Sequence, residues 1–313
     1  MATAFLFPGQ GSQKPLMGAD LYERFAVAKN RFEAADEILG FALTEIMFSD
    51  NESTAESLKH TEITQPALYV HSLASMAVLE ESDHHPDMTA GHSLGEYSAL
   101  AAAGAISFED GLRAVRRRSE LMALAGEVRP GAMSAILGLD PVVLESVCSE
   151  ASTETSVVVE ANFNAPDQIV ISGDGDAVAR AGELAKEAGA RRVLPLPVSG
   201  AFHSPLMEYA VDGFRDTLDN LKITSPECPV YLNVTAEPTK DPQLIRQKLL
   251  EQLTAPVRWA QTLEAMHSDG AARFVEVGSG SVLAGLVKRT LGRDVENMTA
   301  GKAEEIESLF ALA

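Results

Sequence analysis

Asp87-Met88-Thr89-Ala90-Gly91-His92-Ser93-Leu94-Gly95, followed by the small, helix-forming run Tyr97 to Ala103, reads as a strand that turns sharply into a helix. At its centre, Gly91-His92-Ser93-Leu94-Gly95 fits G-x-S-x-G, the nucleophile-elbow pattern. The glycines let the backbone pass close to its neighbours, and the serine hydroxyl is left exposed at the tip. Ser93 Oγ would then sit over a helix N-terminus, whose backbone N–H groups can hold a developing negative charge. Taken alone, the pattern also suits a plain tight turn in an α/β domain. The rest of the chain has to decide.

Upstream, Phe5-Leu6-Phe7 is a short apolar run ended by Pro8-Gly9-Gln10-Gly11-Ser12-Gln13, a strand entering a glycine-rich loop. Helical patterns follow over 18–39. Another helix is expected to begin near Gln65-Pro66, where proline suits a first turn. Ser107-Phe108-Glu109-Asp110 opens a further helix with capping-box spacing, aspartate replacing the usual glutamate. Downstream the rhythm changes. Ala132–Leu137, Val157–Phe163, Gln168–Ser172 and Arg192–Leu196 read as strands, with helices from Asp140-Pro141 to Glu150 and over 176–188. The order β-α-β-β-α-β is that of a ferredoxin-like unit. The chain then returns with a helix near 205–221, a strand Val230–Val234 and a helix over 241–253. A strand Phe274–Val277 and a helix from Val282 close the pattern. Strands alternating with helices in both outer segments predict a mostly parallel sheet. The expected fold is α/β: a large hydrolase-like domain, 1–129 and 199–313, with an inserted ferredoxin-like small domain, 130–198.

Composition bounds the function. The chain has 313 residues, 46% of them hydrophobic, enough for one large domain or a large and a small one. It holds no run of about 18 apolar residues of the kind a membrane helix needs. Met1 to Phe7 lacks the basic start of a signal peptide. The two cysteines, Cys148 and Cys228, form neither a disulfide framework nor a metal cluster. A cytoplasmic protein with no metal is expected. A net charge of −20 argues against nucleic acid as partner. Nine lysines and sixteen arginines face 45 acids, which fits either a salt-rich cytoplasm or an ordinary acidic enzyme.

A serine hydroxyl needs a base to take its proton. Of seven histidines, His92 is adjacent to Ser93 and reads as a packing or orienting residue; His60, His71, His84 and His85 have no supporting pattern. His267 reads as a surface histidine near a helix end. His203 stands in Ser199-Gly200-Ala201-Phe202-His203-Ser204-Pro205, an irregular loop where the small domain rejoins the large one, and such loops favour catalytic groups. In the run Arg116-Arg117-Arg118, helical spacing from Leu112, Val115 and Met122 puts Arg118 at the border of the buried stripe. A guanidinium there needs an anion, either a substrate carboxylate or an internal Asp or Glu.

Phe7-Pro8-Gly9-Gln10-Gly11-Ser12-Gln13, Gly91 to Ala99, Gly200-Ala201-Phe202-His203-Ser204-Pro205-Leu206-Met207 and Glu276-Val277-Gly278 stand in the order and spacing of one family. Over essentially its whole length the chain resembles the malonyl-CoA:acyl carrier protein transacylases of fatty-acid synthesis. The resemblance implies ping-pong transfer. Ser93 is the expected nucleophile and His203 the general base and acid, in a Ser-His dyad whose imidazole is oriented by a main-chain carbonyl; the matching segment includes Gln252. Backbone N–H groups of Gln10 and Leu94 are the expected oxyanion hole. Arg118 is the expected clamp on the malonyl carboxylate, and Asn162 and Gln65 match positions near the pocket. Phe202 resembles the malonyl-selective form of its loop in related polyketide acyltransferases. Ser279 stands where many relatives have proline. No cofactor is expected to be held permanently; the substrates are malonyl-CoA and a phosphopantetheinylated acyl carrier protein, and the state a monomer.

Three rivals differ in what they require. An α/β-hydrolase would order its triad Ser, Asp or Glu, then His near the C-terminus, whereas more than a hundred residues follow His203. A free-standing polyketide-synthase acyltransferase would differ only in its carrier protein. A non-catalytic docking protein would not need Ser93, His203 and Arg118 together. An acidic carrier protein meeting this acidic chain requires a local basic area, for which Arg191, Arg192, Lys288 and Arg289 are the candidates.

Overall fold

The computed structural model of the chain describes residues 2–198 and 200–311. Met1 and Ser199, both part of stretches read above, lie outside the described residues, as do Leu312 and Ala313. The chain opens with β1 (Ala2–Phe7), α1 (Ala19–Arg24), α2 (Ala26–Leu39), α3 (Leu43–Met47), α4 (Glu52–Ser57) and α5 (Thr61–Glu81). Next come β2 (Met88–Gly91), α6 (Gly95–Ala102) and α7 (Phe108–Val128). The middle segment is β3 (Ala132–Leu137), α8 (Pro141–Ala151), β4 (Val158–Ala165), β5 (Gln168–Gly173), α9 (Gly175–Glu187) and β6 (Arg192–Pro195). A 3-10 turn at Pro205–Met207 leads into α10 (Glu208–Asn220), β7 (Val230–Tyr231), β8 (Pro238–Thr239) and α11 (Pro242–Glu251). The chain ends with α12 (Trp259–Ser268), β9 (Ala271–Glu276), α13 (Val282–Leu291), β10 (Glu296–Thr299) and α14 (Ala303–Phe310).

Six strands make one sheet in the order β10-β9-β1-β2-β7-β8, every pair parallel except β7 with β8. β1 lies centrally between β9 and β2. Its apolar run serves both faces of the sheet: Phe5 and Phe7 join one core, Ala4 and Leu6 the other. The remaining four strands form an antiparallel sheet in the order β4-β5-β3-β6. On one of its faces Ile136, Ile169 and Ile171 pack with Leu144 and Val147 of α8 and Ala181 and Ala185 of α9. On the other, Met133, Ala135 and Val170 merge into the main core, so the alternation of β3 and β5 binds the small sheet to the large one.

β4 reaches the site through a bulge. Its register shifts between Glu160 and Asn162, and its outer edge takes up residue 257. Val257 N donates to Ala161 O at 2.9 Å, and Phe163 N to Val257 O at 2.8 Å.

Two expectations require correction. α5 starts at Thr61, so Pro66 lies inside the helix and not in its first turn. Proline has no N–H to give the Glu62 carbonyl; Arg116 Nη1 donates to that oxygen instead, at 3.4 Å. The strand expected over Val230–Val234 stops at Tyr231, because Leu232 already turns to pair with Glu237. The short helices α3 and α4, and β8, β10 and α14, had no sequence counterpart; α12 was signalled only at its end, by His267, and starts after Arg258 with no side-chain cap to announce it.

Candidate active site

The elbow forms because three glycines let backbone meet backbone. A Cβ on Gly91 would stand 1.8 Å from Gly95 O, one on Gly95 2.0 Å from Phe7 O, and one on Gly9 2.4 Å from His92 O. Between β2 and α6, Ser93 is forced to a left-handed φ of 51°. Its N–H donates to Asn233 Oδ1 at 2.7 Å, and its carbonyl accepts from Gln252 Nε2 at 3.0 Å. Both ends of the strained residue are therefore tied.

His203 meets Ser93 from the opposite wall. It too is left-handed, with φ 57°. Ser204 locks the loop behind it, donating from Oγ to Ala201 O at 2.6 Å while capping the 3-10 turn. The imidazole Nε2 is 2.8 Å from Ser93 Oγ, and Nδ1 is 2.8 Å from the main-chain oxygen of Gln252. A carbonyl only accepts, so Nδ1 carries the proton and Nε2 presents its lone pair to the serine hydroxyl. Burial first, and then the charge of Arg118, push the His203 pKa down to about 3, so the imidazole is neutral near pH 7.

Arg118 lies inside the stripe it was expected to border, with 1% of its surface exposed. Nη1 donates to Gln65 Oε1 at 2.7 Å, and Nη2 to Gln252 Oε1 at 2.8 Å and to Ser93 Oγ at 3.1 Å. Tyr97 offers its ring face, 5.7 Å from the guanidinium carbon. The described contacts are all to neutral acceptors; the internal carboxylate partner weighed above is not among them. Arg113, Arg116 and Arg117, by contrast, pair on the surface with Glu109 and Glu120.

A cavity of about 100 Å³ joins these groups, lined by Gln10, Gln65, His92, Ser93, Leu94, Met122, Met133, Asn162, Leu196, Val198, Phe202 and His203. Larger hollows lie elsewhere, about 730 Å³ beside α9 and β6 and about 490 Å³ around Lys14 and Lys302. Neither contains the dyad, so size does not mark the chemistry here. Gln10 is steadied by its side-chain bond to Thr61 Oγ1 at 3.2 Å. His92 diverges from the elbow as expected: its Nε2 is 2.8 Å from Asn164 Oδ1 and its ring packs 5.4 Å from that of Trp259. It thereby ties the elbow to β4.

All nine residues singled out from the sequence thus gather in one place. Two partners had been missed. Asn233 braces Ser93 N and, through Nδ2, Gly91 O at 2.7 Å; nothing in its local sequence signals this. Glu96 stood inside the quoted motif without a role and is fully buried against Asn233 and Gln252. The proposed basic area is partly spoken for, since Arg191 and Arg289 each lie 2.6 Å from Asp167.

Comparison with known proteins agrees with this geometry. Residues 4–306 match the acyl transferase domain family. The malonyl CoA-acyl carrier protein transacylase of Bacillus subtilis is 46% identical over 304 residues, covering 97% of this chain and 95% of that protein. A crystal structure of an acyl carrier protein S-malonyltransferase from Vibrio cholerae superposes with TM-score 0.93 at 42% identity, covering 99% of this chain and all of that one. A malonyl-transacylase solved in complex with a type II polyketide synthase acyl carrier protein gives TM-score 0.94 at 38% identity, with both chains fully covered. No helix of the described residues is long and apolar enough to cross a membrane. By sequence and by fold, the chain belongs to the malonyl-CoA:acyl carrier protein transacylase family.

Proposed function

We propose that this chain moves the malonyl group of malonyl-CoA to the phosphopantetheine thiol of an acyl carrier protein, through a malonyl-Ser93 ester, in the supply line of fatty-acid synthesis. One observation carries the reading: Ser93 Oγ is held at 2.8 Å from His203 Nε2 and at 3.1 Å from a buried guanidinium. Nucleophile, base and carboxylate clamp converge on one oxygen.

In the first half-reaction Oγ attacks the thioester carbon as its proton passes to Nε2. Gln10 and Leu94 N–H groups receive the oxyanion; Leu94 N stands at the start of α6, where the helix favours negative charge. The C–S bond then breaks, and His203 returns the proton to the leaving sulfur of coenzyme A. In the second half-reaction the carrier thiol gives its proton to Nε2 while sulfur attacks the ester. Oγ departs and takes that proton back. Arg118 binds the malonyl carboxylate, favouring malonyl over acetyl because acetyl leaves the buried cation unpaired. Gln65 holds the clamp, while Asn162 and Phe202 shape the wall. The site needs no residue from a second copy, and a monomer is the state we read for the chain. Two buried free cysteines fit a reducing cytoplasm. The separate sheet of β3 to β6 supports reading the chain as 1–129 with 199–313 and an inserted 130–198.

A hydrolase reading is set aside, because the His203 Nδ1 partner is the Gln252 carbonyl where a hydrolase would place a carboxylate. A polyketide acyltransferase is the weaker transfer reading, since the curated relatives at 39–46% identity carry the transacylase name. The test is intact-protein mass after brief exposure to malonyl-CoA. A malonyl adduct is expected on wild type, none on Ser93→Ala, and little on Arg118→Ala. Equal labelling of wild type by acetyl-CoA would refute the clamp.

A further inference from the structure

We propose that Glu96 is a positioning residue for this transfer: its carboxylate dictates which end of the Gln252 amide faces Arg118 and so keeps the guanidinium ready for the acyl carboxylate. The inference rests on the reading of Ser93 and Arg118 given above and adds a residue to it.

Glu96 sits in the first turn of α6, fully buried behind the cavity wall. Its Oε2 accepts from Asn233 N at 2.9 Å and from Gln252 Nε2 at 3.1 Å. Gln252 Nε2 also faces the Ser93 carbonyl at 3.0 Å, and Gln252 Oε1 faces Arg118 Nη2 at 2.8 Å. An amide has one donating and one accepting end. With a carboxylate and a carbonyl on one side, only the NH₂ group fits there, and Oε1 must turn to the guanidinium. The flipped amide would set oxygen against two acceptors and hydrogens against a cation. Without Glu96, only the Ser93 carbonyl and the guanidinium itself hold the orientation, and Asn233 N loses its acceptor.

Charge explains why the arrangement is indirect. A buried cation needs an opposite charge nearby. A carboxylate seated directly on Arg118 would occupy the donors that malonyl requires. Gln252 keeps Glu96 one amide away, near enough for its ionised form, which gains ground as pH passes about 7, to offset the cation without taking its donors. Of the five guanidinium N–H groups, three meet Gln65, Gln252 and Ser93 Oγ. The contact with Oγ is released when that oxygen is acylated. Glu96 Oε1, meanwhile, is buried with no partner among the described residues. A side chain that only filled space there would cost less as an apolar one.

The test is the ratio of Ser93 labelling rates with malonyl-CoA and acetyl-CoA, followed by rapid quench and intact mass, with thermal melts alongside. In Glu96→Gln the side-chain carbonyl can serve both Asn233 and Gln252, and the ratio should stay within about threefold of wild type. In Glu96→Ala the amide loses one of the three groups that orient it, and the ratio should fall about tenfold or more, through the malonyl rate alone. Glu96→Asp, one methylene short, should fall in between and decides the matter if the Ala variant does not fold. Equal losses with both donors, an unchanged ratio in the Ala and Asp variants, or a Gln variant as impaired as Ala would each overturn the inference. A wild type that takes no malonyl would instead overturn the reading of Ser93 and Arg118.

Discussion

Ser93 and His203 both carry a left-handed φ, 51° and 57°, a region that costs an L-residue about 1–2 kcal/mol. The strain is held by long-range hydrogen bonds: Asn233 and Gln252 on Ser93, and the Gln252 carbonyl on His203. That shared anchor also sets the electrostatics. Only the neutral imidazole can take the serine proton, and burial, with Arg118 second, depresses its pKa to about 3. The acid limb of the loading rate should therefore lie well below the ordinary histidine value, leaving the rate flat from pH 8 to about 5. Removing the neighbouring positive charge must raise the histidine pKa. In Arg118→Met the limb should accordingly move up toward, but not reach, about 6.5. Acetyl-CoA is the donor to use, because it does not call on the guanidinium. A wild-type limb already near the ordinary value would mean that water reaches the imidazole; an unmoved limb in the variant would remove Arg118 as a cause.

At the scale of elements, the elbow works by contact between backbones, so its tolerance for a methyl group is low. In Gly95→Ala the new Cβ would lie 2.0 Å from Phe7 O and 3.1 Å from Pro8 O, neither of which is a flexible side-chain end. Either β1 or α6 must shift, at a cost of about 1–3 kcal/mol. Because the loop after β1 carries Gln10 and α6 begins beside Leu94, the same shift separates the two proposed oxyanion donors. Urea unfolding and malonyl loading measured together should both fall, with loading reduced about a hundredfold. Full activity in a destabilised variant would free the hole from this packing. The elbow was legible in sequence because G-x-S-x-G encodes a local clash. β3 is legible at its observed ends, Ala132–Leu137, before the helix that opens at Asp140-Pro141. Asn233 could not be read, since its partner lies 140 residues away. Pro66 was misplaced because the rule for first turns assumes an unpaired carbonyl four residues back, and Arg116 from another helix supplies the missing donor. Arg118 was found at the right stripe but placed too far out. Spacing gives a direction around a helix; what Gln65 of α5 and Gln252, at the end of α11, lay over that face is tertiary.

On the scale of the whole molecule, buried titratable groups shape stability against pH in opposing ways. Burial lowers His71 to about 4 and His203 to about 3, and raises Glu96 and Glu276 to about 7. A histidine with a depressed folded pKa contributes stability that is present above its unfolded value and lost as pH falls. A carboxyl with a raised folded pKa contributes stability that is present below its unfolded value and lost as pH rises through the folded one. Between about pH 4.5 and 6.5, unfolding binds protons on these two histidines and releases them from these two glutamates, so the four contributions oppose one another. Above that window the unfolded histidines no longer bind protons, while Glu96 and Glu276 still release theirs on unfolding until about pH 7 is passed. Stability should then fall. A net charge of −20 acts in the same direction, because self-repulsion grows as the remaining acids ionise. Its share is screened by salt, whereas the buried share is not. The urea midpoint should therefore be higher at pH 5.5 than at pH 8, and added salt should recover part of the difference but not all of it. Full recovery by salt would assign the whole effect to surface charge and leave the buried acids silent. A midpoint that kept rising to pH 8 would mean that Glu96 and Glu276 are already ionised in the folded chain.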